Sequence, residues 1–464
     1  MSGLEPSVAF LLIFCIASAL AFEFINGFHD TANAVATVIY THSLKPLPAV
    51  IWSGIWNFIG VNVGGIAVAI GIVNLLPVEA LTDANLSHNI ALVMALIITA
   101  ILWNIGTWYL GIPCSSSHTL IGSITGVSIG YILLPNNHDI SLNWLKVQEA
   151  GLSLLISPVI GFLLAIVLMM ILKLIIKNKA IFKEPPSKKA PPLWIRSILI
   201  LTSTFVSFSH GSNDGQKGVG LLMIILIAIL PMRFALDHTK NPVKLEKHTI
   251  SMQSLITQAN DSALNENQQA CYTEIKTNLD SLNHKLYGIT QFGELPGNQG
   301  AAVRRHILII ARRSNTLLAA NSLSPEWKKK YSGHLTSIKT YTEYSPWWVI
   351  LMISIALGLG TMIGWKRIVV TLGEKIGKSR LTYAQGAAAN LVAAATISTS
   401  SFLGLPVSTT HVLSSGIAGT MVSGNGLKNL QGKTLASIGI AWLITIPVTM
   451  LFSGVLFLLF RMIL

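Results

Sequence analysis

Long apolar runs separated by short polar stretches recur along most of the chain. Ten are helix-sized: Val8–Ile25, Ala49–Val73, Ile90–Leu110, Ile112–Leu134, Ala150–Leu172, Ser197–Leu230, Trp347–Trp365, Leu381–Leu403, Leu405–Ser423 and Leu435–Phe460. A helix needs ~20 apolar residues to cross the hydrocarbon core. The runs are long and do not alternate over ten residues, so they predict an all-α integral membrane bundle rather than a barrel. One segment differs in kind. Pro231–Pro346 is polar and rich in Asn, Gln and Lys, and stretches such as Trp327–Tyr344 predict surface helices. It reads as a soluble excursion.

Composition agrees. The chain has 464 residues, of which 52% are hydrophobic and 11% charged, where soluble domains carry roughly 25% charged residues. The net charge of +13 reads as cytoplasmic anchoring charge before it reads as a sign of an anionic partner. Cys15, Cys114 and Cys271 are scattered, with no metal spacing and no even framework. The first residues lack the basic region of a signal peptide, so the opening apolar run is expected to be retained.

Charge between the runs predicts orientation. Lys173, Lys177, Lys179, Lys183, Lys188, Lys189 and Arg196 face Glu184 alone, which makes that linker cytoplasmic. Lys366, Arg367, Lys375, Lys378 and Arg380 against Glu374 place the Lys366–Arg380 loop on the same side. The Pro77–His88 loop holds Glu79 and Asp83 without Lys or Arg and suits the outer side. The expected division is a first membrane repeat over 1–172, a basic linker over 173–196, the start of a second repeat over 197–230, the soluble insertion over 231–346, and the rest of the second repeat over 347–464.

The repeat is written in two motif pairs. Asn26-Gly27-Phe28-His29-Asp30-Thr31-Ala32-Asn33-Ala34 answers to His210-Gly211-Ser212-Asn213-Asp214-Gly215-Gln216-Lys217-Gly218. Gly111-Ile112-Pro113-Cys114-Ser115-Ser116-Ser117-His118 answers to Gly404-Leu405-Pro406-Val407-Ser408-Thr409-Thr410-His411. Asp30 precedes His118 by 88 residues and Asp214 precedes His411 by 197; the difference, 109, is close to the length of the insertion. Five spans per half force the second copy to enter the membrane from the opposite side, which predicts two inverted-topology repeats.

Ionisable groups at membrane depth are costly and usually functional. The motifs hold the aspartates Asp30 and Asp214 and the histidines His29, His118, His210 and His411. Val8–Tyr40 and Ser197–Leu230 run for 33 and 34 residues, or roughly 50 Å as straight helices. Each has Gly beside polar residues near its middle, which predicts a broken helix lining a polar cavity. In the second pair, Pro113 and Pro406 suit a first helical turn. Ser115, Ser116 and Ser117, with Ser408, Thr409 and Thr410, then add hydroxyl donors where helix starts already favour an anion. His118 and His411 follow three residues after Ser115 and Ser408. The bland reading of the triplets is capping and interhelical hydrogen bonding.

Two carboxylates beside an anion would repel it, so Asp30 and Asp214 suit a cation or a proton. Asn33 and Lys217 lie three residues after them. Lys217 is expected either to contact the anion or to pair with Asp214.

These motifs resemble the inorganic phosphate transporter family, often called PiT. Asn213-Asp214 after Gly211 looks like its Gly-x-Asn-Asp signature, and the stretch from Asn26 to Ala34 looks like the N-terminal copy. Ser209 to Gly218 is similar to the bacterial low-affinity, proton-coupled branch. The resemblance covers both membrane halves. It implies secondary active symport of inorganic phosphate, free or as a neutral complex with Mg or another divalent metal, coupled to protons, in the bacterial inner membrane. The phosphate site would comprise Ser115, Ser116, Ser117, Ser408, Thr409, Thr410 and Lys217. Coupling would fall to Asp30, Asp214, Asn33, Asn213, His118 and His411, and Asp30 and Asp214 would face the metal. Expected partners are phosphate, the lipid bilayer and a second copy of the chain; no nucleic acid and no permanently bound cofactor is expected. The first copy departs in carrying His29 where the second has Asn213. Asn57 and Asn390 stand near positions where sodium-coupled animal relatives carry glutamate, which favours protons. The alternatives are sodium coupling, a channel, a cation carrier and a membrane-embedded hydrolase. The hydrolase lacks a Gly-x-Ser-x-Gly elbow.

Overall fold

The structure is a computed structural model and describes residues 5–83, 85–112, 114–135, 137, 140, 142–186, 189–259, 264–363 and 376–463, without the side chains of Asn33 and Asn425. Pro113, Lys188 and the loop charges Lys366, Arg367, Glu374 and Lys375 lie outside the described residues. The described chain is all-helical apart from one isolated bridge. In order, the helices are α1 (Pro6–Tyr40), α2 (Pro46–Val63), α3 (Ala67–Val73), α4 (Val78–Leu81), α5 (Leu86–Tyr109), α6 (Ser116–Ile132), α7 (Trp144–Ile175) and α8 (Leu193–Ile229). They continue as α9 (Pro231–Phe234), α10 (Pro242–Gln258), α11 (Glu266–Leu286), α12 (Gln299–Leu318) and α13 (Pro325–Lys339). The last four are α14 (Trp347–Thr361), α15 (Tyr383–Phe402), α16 (Thr409–Asn425) and α17 (Gly432–Ile463).

The chain divides into two compact units. One comprises Met1–Leu76, Ala91–Leu222 and Ser345–Leu464; the other comprises Pro77–Ile90 and Met223–Tyr344. The first is the apolar unit. Among the described residues, α1, α5, α7 and α17 are each long and apolar enough to cross a membrane, and α2 with α3 forms an apolar pair bent by 75°, a broken span or a re-entrant loop. Their outward faces are apolar: Leu155, Val159 and Leu163 on α7 and Leu443, Leu451 and Val455 on α17 are exposed. A patch of that extent is a surface for lipid. α6, α15 and α16 are mostly buried and rich in Ser, Thr, Gly and Ala.

Small residues set the packing inside this unit. α6 lies along α17, with Gly126 against the Met450 carbonyl, while α16 lies along α7, with Gly419 against the Phe162 carbonyl. Gly27 of α1 meets α14 at Leu357 and Thr361, and Gly211 of α8 meets α2 at Asn57. Interfaces of this kind bring backbones close where lipid offers no hydrophobic drive.

Two expectations are corrected. α1 and α8 are continuous through both aspartate motifs; Gly27 and Gly211 serve close helix contact rather than a break. The sharp bend lies instead between α2 and α3, where Gly65 has φ +78°, a conformation that glycine adopts freely. Nor does Pro406 open a helix. α16 begins at Thr409 with Ser408 as its N-cap, so Pro406 lies in the non-helical approach.

The second unit is built on α10 to α13. Each of these helices packs on two others, around Leu245, Met252, Ile275, Leu279, Ile307 and Tyr331. α11 shows why: Ile275, Leu279, Leu282 and Leu286 recur at helical spacing and are buried. A capping box from Asn265 and Gln268 fixes its start.

Candidate functional site

α6 and α16 start in the interior of the apolar unit, and both starts are built alike. Ser115 Oγ accepts from the His118 backbone N–H at 3.2 Å, and Ser408 Oγ accepts from the His411 N–H at the same distance. The i to i+3 spacing seen in the sequence is thus a helix cap. Ser116, Ser117, Thr409 and Thr410 occupy the first turn, and their hydroxyls are buried in the interior.

Those hydroxyls meet the aspartates. Thr410 Oγ1 donates to Asp30 Oδ1 at 2.7 Å, and Ser116 Oγ donates to Asp30 Oδ2 at 3.1 Å. His29 Nδ1 lies 3.1 Å from Asp30 Oδ1. Thr409 Oγ1 lies 3.5 Å from Asp214 Oδ2. Lys217 Nζ donates to Asp214 Oδ1 at 2.6 Å, to the Val407 carbonyl at 3.0 Å, and to Ser117 Oγ. Lys217 therefore pairs with Asp214 and at the same time reaches the hydroxyl of one helix start and the approach to the other. The Lys217 and Asp214 side chains are at most 1% exposed. A buried pair is tolerable because charge and hydrogen bonds are both answered.

His210 joins the two carboxylates. Its Nε2 lies 3.4 Å from Asp214 Oδ2 and 3.8 Å from Asp30 Oδ2, while Nδ1 lies 2.9 Å from Asn57 Oδ1. Asn57 in turn donates to Thr361 Oγ1. Ligand atoms of Asp30, His210 and Asp214 all fall within 4.8 Å of one another. One imidazole nitrogen and two carboxylates form a donor set that divalent cations accept.

Other expected residues lie elsewhere. Asn213 donates to Ser401 Oγ and the Leu405 carbonyl, and its Oδ1 accepts from the Val407 N–H. It fixes the approach to α16 rather than facing the carboxylates. His118 and His411 make no hydrogen bond to either aspartate among the described residues. Their rings pack on each other with centroids 4.5 Å apart, and His411 stacks on Trp442 beside a cavity of about 620 Å³ between α7 and α17. The side chain of Asn33 lies outside the described residues. Asn390 donates to Thr37 Oγ1.

Two residues are not legible as site members from the motifs. His210 is one of four motif histidines, and its signal is the four-residue step to Asp214 on a single helical face. Glu23 is fully buried beside Gly218; its signal is a lone carboxylate inside an apolar run.

Charged and hydroxyl groups from both halves thus converge in the interior of an apolar helical unit. This is the architecture of a multi-pass membrane transporter for a small ion. The chain belongs to the Phosphate transporter family, whose profile matches residues 26–453. It is 38% identical to the low-affinity inorganic phosphate transporter PitA of Escherichia coli K12, with 98% of each chain covered. It is 40% identical to a low-affinity inorganic phosphate transporter of Buchnera aphidicola from Acyrthosiphon pisum, covering 97% of this chain and 96% of that one. Among solved structures, the sodium-dependent phosphate transporter is similar with a TM-score of 0.56 at 19% identity, over 98% of this chain and all of the other. At that identity the likeness speaks for the fold. Membership in a transporter family sets the hydrolase reading aside.

Proposed function

We propose that this protein is a low-affinity inorganic phosphate symporter of a bacterial inner membrane, driven by protons. The observation that carries the reading is the shared site: Asp30 of α1 is bonded to Ser116 and Thr410 at the two helix starts, while Lys217 of α8 reaches Ser117 and Val407. Hydroxyls, a buried lysine and two helix N-termini form an anion site. The carboxylates accept those donors when phosphate is absent and release them to it. Protonation of Asp30 and Asp214, or a divalent cation travelling with phosphate, removes the repulsion that two carboxylates would otherwise exert. Asp30, His210 and Asp214 are the residues that would face such a cation.

Two inverted repeats account for how one site draws on both ends of the chain. In support, α6 and α17 pack across the halves as α7 and α16 do, and Gly27 on α14 mirrors Gly211 on α2. The matched caps Ser115–His118 and Ser408–His411 add to it. In this reading the polar insertion Pro231–Pro346 lies outside and Lys173–Arg196 inside.

The test is labelled phosphate uptake into proteoliposomes under imposed gradients. Uphill uptake with an inward proton gradient, and none with sodium alone, is expected. Uptake that follows sodium alone would replace the proton, and uptake that never exceeds equilibrium would make the protein a channel.

A further inference from the structure

Three carboxylates are buried among the described residues of the apolar unit: Glu23, Asp30 and Asp214. They are not held alike. Asp30 takes two hydroxyl donors and stands beside His29, and Asp214 takes Lys217, with Thr409 and His210 alongside. Glu23 has one neutral donor, Asn26 Nδ2, at 3.2 Å to Oε1. Among the described residues its Oε2 has no hydrogen-bond partner, and neither has Asn26 Oδ1. Both unanswered atoms are acceptors, and they belong to the same pair of side chains. A proton on the carboxyl supplies the donor that an unanswered acceptor lacks. A carboxylic acid set against an amide exchanges two bonds, the amide N–H to the acid carbonyl and the acid O–H to the amide oxygen. An ionised carboxylate with one neutral donor in this setting is far more costly.

The surroundings give that proton a use. Oε2 lies directly against Gly218, where a Cβ would collide with it, one residue beyond Lys217. Asp214, Lys217 and His210 of α8 bear on Glu23 electrostatically, and α14 brings Ile353 to the same spot beside Gly218. The buried Lys217 is thus paired with Asp214 and also bears on Glu23 through its charge.

We infer that Glu23, paired with Asn26, is an additional proton-binding site of the transport cycle, separate from the two aspartates. The inference rests on the proton-coupled reading above. Glu23 takes its proton from water on the side from which phosphate enters. On the other side its O–H bond breaks, the proton passes to water, and the electron pair stays on a carboxylate that faces Lys217. Phosphate that draws on Lys217 and the proton on Glu23 are then linked through one cation: each lowers the demand that the other places on it.

The experiment measures protons moved per phosphate in proteoliposomes, with an entrapped pH dye and labelled phosphate, for wild type, Glu23→Gln and Glu23→Asp. The ratio is expected to fall by one proton in Glu23→Gln and to recover in Glu23→Asp. An unchanged ratio in Glu23→Gln overturns the inference. A wild-type protein that moves phosphate without protons overturns the proton-coupled reading instead. Infrared spectra of wild-type protein carrying ¹³C-labelled glutamate decide the matter without a variant. A protonated glutamate carboxyl at neutral pH that changes on adding phosphate is expected, and its absence both with and without phosphate overturns the inference.

Discussion

Thr410 donates a 2.7 Å hydrogen bond to Asp30 across 380 residues of chain. The bond joins the hydroxyl at one helix start to the carboxylate of the opposite half, so neither half holds a complete site. Thr410→Val keeps the shape and removes the donor. The loss of a hydrogen bond to a charged group costs roughly 1.5–3 kcal/mol. Phosphate affinity, read by equilibrium binding or by KM for counterflow, is expected to fall about tenfold or more, and Thr410→Ser to restore it.

Asp30→Asn and Asp214→Asn keep hydrogen bonding but cannot cycle between charge states. Uphill uptake under a proton gradient is expected to vanish in the double variant while the hydroxyls still hold phosphate. Normal accumulation would remove both residues from coupling. Loss of binding together with transport would put the carboxylates in the phosphate site through a bridging metal.

Lys217→Met strands Asp214 in the interior. Breaking a buried pair from one side costs roughly 3–5 kcal/mol, so a lower melting temperature in detergent is expected. The double variant Lys217→Met with Asp214→Asn should melt close to wild type and still fail to transport. A double variant as unstable as the single one would mean that Lys217 is held chiefly by Ser117 and Val407.

Gly211→Ala directs a methyl group at the backbone of Asn57, whose Cα would lie 2.8 Å away. Overpacking of this kind costs typically 1–3 kcal/mol. Because Asn57 also holds His210, transport is expected to fall along with the melting temperature. Gly27→Ala should behave the same way, through Leu357 and Thr361. Wild-type melting and uptake in both would show that these helices separate freely.

In the second unit, burial, then Lys285 and Arg305, push His306 down from its ordinary 6.5 to about 4. Its Nδ1 lies 2.8 Å from Asn278 Oδ1. Between these values the unfolded chain binds a proton that the folded chain does not, so stability is lost as pH falls from 6.5 towards 4. Melting curves at pH 7 and pH 5 should show the loss, and His306→Gln should reduce it. An undiminished pH dependence in that variant would assign the effect to other groups.

Much was legible in the sequence. Apolar runs must become helices, because a backbone without water has to bond to itself. The two duplicated motifs marked the interior polar residues, since charge there is too costly to be incidental. Asp30, Asp214, Lys217 and the Ser/Thr triplets follow from that.

Only the tertiary structure decided which of these groups meet. Hydroxyl direction is one case: Ser115 and Ser408 turn back to cap their helices, while their neighbours reach the aspartates. Continuity is another. A glycine beside polar residues fits a broken helix or a close crossing equally well on paper, and the neighbouring backbone of α14 or α2 selects the crossing. His210 sits between two carboxylates because α1 and α8 bring them within its reach. Local spacing fixes which side chains share a helical face, whereas contact across hundreds of residues depends on how helices cross. That is why the sequence determined the parts of the site, and packing determined their pairing.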